Sequence, residues 1–279
     1  MDRLTVYTGA AGDLLEGFTS RSTRRAYAGA LGLLLFFFPF SLVFVVGGVL
    51  PERFAWTASV IIVLNGVATL FSEMRGVTAA KAALRFLLLL VVLFAVELFG
   101  TRTGLPFGTY AYTNALGLLI LGVPLAIPFA WYATVINTWR IAEGILGSRG
   151  VRSSWPTAVV AGLLTVALDL VLEPMAAWVK QYWLWAGGDV PLQNYLSWFA
   201  FSMIAVLWFS LRGEKGRSLH PGHLQSGILL LGVQWVLFVL TDLVNGHVLP
   251  VLLSGGLVLF LSVAVLRRTT VRAREMTLP

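Results

Sequence analysis

The stretch "AALRFLLLLVVLFAVELFGTRTGLPFGTYAYT", residues 82–113, decides how the chain is read. In residues 82–99 only Arg85 and Glu97 interrupt an apolar run. A bilayer core about 30 Å thick is crossed by about 20 such residues in a helix. The run therefore reads as a transmembrane helix, and it ends on a carboxylate, Glu97. Behind it comes a loop of Gly100, Gly104, Pro106 and Gly108 with two tyrosines, Tyr110 and Tyr112. A helix this apolar gains nothing in stability from an acid at its end, so the pairing points to chemistry.

The rest of the chain agrees. Of 279 residues, 58% are hydrophobic and 12% charged, with a mean hydropathy of +0.84. Soluble domains carry about 25% charge, so the composition implies an all-α, polytopic membrane protein. There is no cysteine, which excludes a disulfide framework, a thiolate metal site and a cysteine nucleophile. The net charge of +7 would suit nucleic acid in a soluble protein. In a membrane protein, basic cytoplasmic loops account for it, and no nucleic-acid partner is expected. Residues 1–25 lack the short apolar core of a signal peptide. Seventeen of the 20 basic residues are arginine, as in GC-rich bacterial genomes.

Eight segments are long and apolar enough to span: 26–49, 54–72, 82–99, 122–142, 155–173, 194–211, 224–243 and 248–266. With the N-terminus inside, the inner segments hold Arg3, Arg21, Arg24, Arg25, Arg75, Lys81, Arg85, Arg140, Arg149 and Arg152. Arg212, Lys215, Arg217, Arg267, Arg268, Arg272 and Arg274 follow. Only Arg53, Arg102 and Lys180 fall outside. Seventeen against three predicts eight spans, both termini cytoplasmic, in the inner cell membrane. The chain reads as one transmembrane domain, 1–279, with cytoplasmic ends at 1–25 and 267–279. "ALGLLILG" (115–122) is too short to cross and reads as a re-entrant or interfacial piece, or the start of the fourth helix. "YWLWAGG" (182–188) has the aromatic density of an interfacial belt, and most of the ten tryptophans read as lipid-facing or interfacial. The inner halves of the spans read as almost purely apolar.

The acids gather at the outer side. Glu97 lies twelve residues after Arg85, roughly 18 Å from the inner edge. Asp169 lies fourteen after Trp155, roughly 21 Å in. Glu173 shares the face of Asp169 one turn nearer the surface. An intramembrane acid is costly when charged and is a functional candidate for that reason. Burial favours the neutral acid, and a neutral acid can donate a proton. Against this stands a plain alternative, in which each acid bonds a helix end, Arg102 or an interfacial water.

Other residues invite blander readings. Asp242 and Asp189 read as lying at the water. His220 and His223 flank a Pro-Gly turn with no third ligand nearby, so a solvated turn fits better than a metal pair. His247 follows Asn245-Gly246 and reads as a turn histidine or a base reaching the acids. Interhelical hydrogen bonds explain Asn65, Asn137, Thr165 and Gln234. No phosphate loop and no zinc motif is present.

Two stretches together resemble a family. "ELFGTRTGLPFGTYAYTNALGLLILGVPLAIPFAW" (97–131) carries Glu97, Gly100, Gly104, Pro106, Phe107, Gly108, Tyr110 and Tyr112, then Val123-Pro124 and Trp131. "DLVLEPMAAWVKQYWLWAGGDVPLQNYLSWF" (169–199) carries Asp169, Glu173-Pro174, Trp183, Trp185, Val190-Pro191, Asn194 and Trp198. The chain resembles the CruF-type membrane carotenoid 1',2'-hydratases, the group that also holds bisanhydrobacterioruberin hydratase. Glu173 stands where that pattern has Asp, and Gly188-Asp189 replaces an aromatic-Gly pair before Val190.

The resemblance implies hydration of the terminal double bond of an acyclic carotenoid, with no cofactor and no metal. The partners implied are the carotenoid, water and membrane lipids. An acid protonates C2', a tertiary cation forms at C1', and water attacks. Glu97, Asp169 and Glu173 are the expected catalytic acids, with the choice of donor open. Tyr110, Tyr112, Trp183, Trp198, Asn194 and Arg102 are expected around substrate and water, with Asp242 and His247 as accessories. Three rival readings are a proton-coupled carrier, a magnesium-diphosphate prenyl-transfer enzyme and a carotenoid-binding protein without turnover.

Overall fold

The computed structural model describes residues 13–18, 20–75, 77–147, 154–211 and 220–275. Arg3, Arg149, Arg152, Arg212, Lys215 and Arg217, used above to orient the chain, lie outside them.

Among the described residues, eight α-helices stand at the eight expected segments. They are α1 (Arg21–Ser41), α2 (Thr57–Glu73), α3 (Ala79–Thr103) and α4 (Ala126–Leu146), then α5 (Ser154–Glu173), α6 (Leu192–Leu211), α7 (Pro221–Val244) and α8 (Val248–Glu275). Five are long and apolar enough to cross a membrane. These are α1 and α5 with the π-helical turns that extend them (Leu42–Val46 and Pro174–Val179), α3, α6 and α7. The ends obey ordinary rules. Ser20 caps α1 by accepting from the Ser22 N–H, and Thr78 caps α3 by accepting from the Lys81 N–H. Gly104, at φ +75°, closes α3 with its N–H on the Gly100 carbonyl.

The central element is α4. Almost every side chain from Ala126 to Glu143 is buried, because α2, α3, α5 and α7 pack around it. A helix apolar on all sides belongs inside a bundle. In α4 that enclosure extends to two charged residues, Arg140 and Glu143.

The fold is not purely helical. β1 (Tyr110–Tyr112) pairs antiparallel with β4 (Trp183–Trp185), setting Tyr110 opposite Trp185 and Tyr112 opposite Trp183. β2 (Leu119–Ile120) pairs with β3 (Val123–Pro124). The segment 115–122 is therefore neither a re-entrant helix nor the start of α4. It is the end of a 3-10 turn followed by this small hairpin, and α4 begins at Ala126. Gly117 and Gly122, both at positive φ, turn the chain where a helix would have needed continuous α geometry.

Candidate active site

The β1–β4 ribbon builds the site. Side chains alternate across a strand, so Tyr110 and Tyr112 point inward with Trp183 and Trp185, while Ala111 and Leu184 face out. The ribbon lies across the ends of α3 and α5. Gly108 makes this approach possible: its φ is +119°, and a Cβ there would meet Pro191 Cγ at 2.6 Å. The four inward side chains then reach two carboxylates.

Glu97, from α3, accepts three hydrogen bonds. Tyr110 and Tyr112 donate their hydroxyls to Oε2 at 2.5 and 2.7 Å, and Trp131 Nε1 of α4 donates to Oε1 at 2.7 Å. Glu173, at the end of α5, also accepts three. Trp183 and Trp185 donate their indole N–H groups to Oε2, each at 3.0 Å, and Asn194 Nδ2 of α6 donates to Oε1 at 2.9 Å. Asn194 Nδ2 also donates to Asp169 Oδ2 at 3.0 Å. Asp169 is one turn back on α5, and its Oδ1 has no partner among the described residues. All three acids and Asn194 are buried. Burial pushes the Tyr110 and Tyr112 phenols well above the usual tyrosine range. Both hydroxyls thus keep their protons as donors.

Glu97 and Glu173 line one cavity of about 130 Å³. Its walls are otherwise mostly apolar. Phe107, Trp131 and Trp198 close one side, with the two indoles stacked at 3.5 Å between centroids. On the other side the cavity reaches Val45 in the π turn after α1, Ile61 and Ile62 of α2, and Leu237 and Phe238 of α7. The space offers an apolar surround with two carboxylates on its wall. Asp169 is not on the cavity wall; it stands behind Asn194.

Several expectations need correction. Arg102 is exposed on the last turn of α3 and makes no contact with the acids among the described residues. Having no carboxylate to pair with there, a long charged side chain turns to water. Asp242 is not at the water: it is fully buried near the end of α7, and its carboxylate has no protein hydrogen bond among the described residues. His247 packs on Trp178, with ring centroids 5.2 Å apart, outside the hydrogen-bonded cluster. His223 is buried rather than in a solvated turn, while His220 caps α7. Trp183 and Trp185 are not an interfacial belt. Together with Trp131, Trp139 and Trp198 they are buried, because the carboxylates recruit three of their N–H groups. Asp189 is exposed, as expected.

The end of the bundle away from the carboxylates, expected to be the inner one, is not purely apolar either. Arg140 donates from Nε to Glu73 Oε1 at 2.5 Å and from Nη1 to Glu143 Oε2 at 2.6 Å, and its Nη2 also pairs with Glu73. Arg85 Nη1 stands 3.9 Å from Glu73 Oε2. Hydropathy windows hide this network because its charges lie one per helix, or at helix ends. Nearby polar side chains donate within the protein: Asn65 to the Leu230 carbonyl, Asn137 to Thr69, and Thr165 to the Ala161 carbonyl.

Trp131, Trp185 and Phe107 belong to the site although the residue-by-residue reading had not placed them there. The signal for Trp185 was present in the Trp-Leu-Trp alternation, since a strand puts residues 183 and 185 on one face.

A family model described as "Carotenoid biosynthesis protein" matches residues 57–261. A bisanhydrobacterioruberin hydratase of Haloarcula japonica is 33% identical over 140 residues, which cover 48% of this chain and 47% of that relative. The matched region thus spans about half the length of that curated relative. No solved structure matches the chain.

Proposed function

We propose that this chain, which belongs to the carotenoid biosynthesis protein family, adds water across the terminal C1',2' double bond of an acyclic carotenoid end, of the lycopene or gamma-carotene type. The product is a tertiary alcohol. The observation that carries this reading is that Glu97 and Glu173 line the same apolar cavity in different hydrogen-bond settings. Hydration needs a proton donor and a proton acceptor beside a hydrocarbon, and the partners of the two acids suit one to each role.

The Oε2 of Glu97 meets two hydroxyls, and a hydroxyl accepts as readily as it donates. A proton on Glu97 can therefore stay hydrogen-bonded. The partners of Glu173 are three N–H groups, which only donate. They suit an acceptor-only carboxylate. Glu97 is then the proton donor to C2', directly or through a tyrosine hydroxyl. The cation at C1' forms beside the aromatic wall of Trp131 and Trp198, whose rings attract positive charge. Water attacks C1' and gives up a proton to Glu173. Asp169 is a positioning residue: by sharing Asn194 it fixes the rotamer of Glu173. Asn194 was expected to hold the water, but its Nδ2 is committed to the two acids. No proton is gained or lost overall, and no cofactor or metal takes part.

In this reading all eight helices span the cytoplasmic membrane with both termini inside, and the polyene enters sideways from the bilayer. A carrier remains the second reading because of the buried network at Arg140. Its charges are paired with one another, which suits a structural role, and solute flux in proteoliposomes would revive the carrier. Expression in lycopene-making cells tests the proposal. A product heavier by one water supports it, and unchanged lycopene in cells with inserted protein opposes it.

A further inference from the structure

If the cavity hydrates an alkene, it must also place a water beside C1'. Polar side chains on its wall that neither carboxylate engages include Tyr182 beside the β1–β4 ribbon, Ser41, which bonds the Phe37 carbonyl, and, facing each other's helices, Thr134 of α4 and Gln234 of α7. Of the other mid-span polar residues, Asn65, Asn137 and Thr165 bond within the protein, and Ser202, buried without a partner among the described residues, does not line the cavity. The side chains of Thr134 and Gln234 make no hydrogen bond among the described residues, and Thr134 is only 3% exposed. The two line the same cavity from helices that pack together. α4 and α7 run antiparallel, with Gly227 packed against Asn137 and Ile141. Seven residues, about two turns, forward along α7 from Gly227 is Gln234. Seven back along α4 from Asn137 and Ile141 are Ala130 and Thr134. Both helices thus bring a polar group to the same level, one turn from Trp131, the indole that holds Glu97.

We propose that Thr134 and Gln234 hold the attacking water. This rests on the hydratase reading and adds to it a division of labour: Glu97 makes the cation, and this pair decides what the cation does next. A buried water needs two to four polar partners. The Thr134 hydroxyl and the Gln234 amide supply them in an otherwise apolar wall. The water oxygen forms the C1'–O bond, and one of its protons leaves to the Glu173 carboxylate. Without a placed water, the cation can only return a proton to a carboxylate and become an alkene again.

That failure is measurable in heavy water. Protonation followed by proton loss leaves deuterium in unreacted polyene, while capture leaves alcohol. In Thr134→Val and Gln234→Leu the alcohol is expected to fall about tenfold or more, while deuterium exchange into recovered alkene continues. Thr134→Ser, which keeps the hydroxyl, should retain hydration. Three outcomes overturn the assignment: alcohol formation unchanged in both variants, exchange and hydration lost in parallel, or a defect seen only with polyenes that carry an oxygen substituent. In the last case the pair reads the substrate rather than water. If the unmodified chain hydrates no polyene and exchanges no deuterium, the hydratase reading itself fails, a result distinct from all three.

Discussion

Tyr110 and Trp185 face each other across the β1–β4 ribbon, ring centroids 5.1 Å apart, and each donates a hydrogen bond to a different carboxylate. The ribbon therefore fixes the spacing of Glu97 and Glu173, which come from helices far apart in sequence. Strand register, set by alternate side chains, becomes the ruler of the active site.

Replacing the donor should abolish the reaction without unfolding the protein. Glu97→Gln keeps the size and hydrogen-bonding capacity of the side chain but carries no transferable proton. Hydration is expected to drop by about 10²–10⁴-fold, with membrane insertion unchanged. Product formation in lycopene-making cells, normalised to inserted protein, measures it. Asp169→Asn should also lower turnover steeply, because Asn194 would face an amide where it now faces a carboxylate.

The two indoles on Glu173 act as one unit. Trp185→Phe removes one charge-assisted hydrogen bond, each worth about 1.5–3 kcal/mol, and should slow turnover about 10- to 100-fold. The double variant with Trp183→Phe should cost less than the product of the two single effects, since both indoles serve one oxygen. Rates of the three variants test the coupling.

At Gly108 the backbone, not the chemistry, is at stake. A Cβ there meets Pro191 at 2.6 Å in a left-handed conformation. Gly108→Ala should destabilise by about 1–3 kcal/mol and loosen the ribbon. A lower melting temperature in detergent, together with lost activity, is the expected result.

Much of this was legible beforehand and some was not. Hydropathy placed eight helices because a run such as 82–99 has one dominant requirement, an apolar surround. The family pattern picked out Glu97, Asp169, Glu173 and Asn194; the structure joins the last three through the Asn194 amide and sets Glu97, with its own partners, on the same cavity wall as Glu173. Two features were hidden for physical reasons. Pairing between residues 110–112 and 183–185 is non-local, so nothing near Tyr110 in sequence announces Trp185. Arg140 reads in sequence as one more inner-side charge at the end of a span; only its partners, Glu73 and Glu143, allow it to be buried inside α4. Arg102 misled for the opposite reason, being near the acids in sequence but turned outward.

The inner network offers a stability test apart from catalysis. Arg140→Leu leaves Glu73 buried without its main counter-ion, a change that costs about 3–5 kcal/mol. A sharp loss of folded protein is expected in thermal melts. Replacing Glu73, Arg140 and Glu143 together by uncharged residues of similar size should be milder.

Because no metal enters the proposed chemistry, a chelator should leave turnover unchanged. Loss of activity with chelator, restored by magnesium, would favour the diphosphate-dependent reading instead.

The oxygen atom of the product tests the central claim most directly. Purified protein reconstituted with lycopene should be incubated without oxygen or reductant, in water labelled with heavy oxygen. The account predicts an alcohol whose hydroxyl carries the label, and none from Glu97→Gln. An unlabelled hydroxyl, or equal product from the variant, would contradict it.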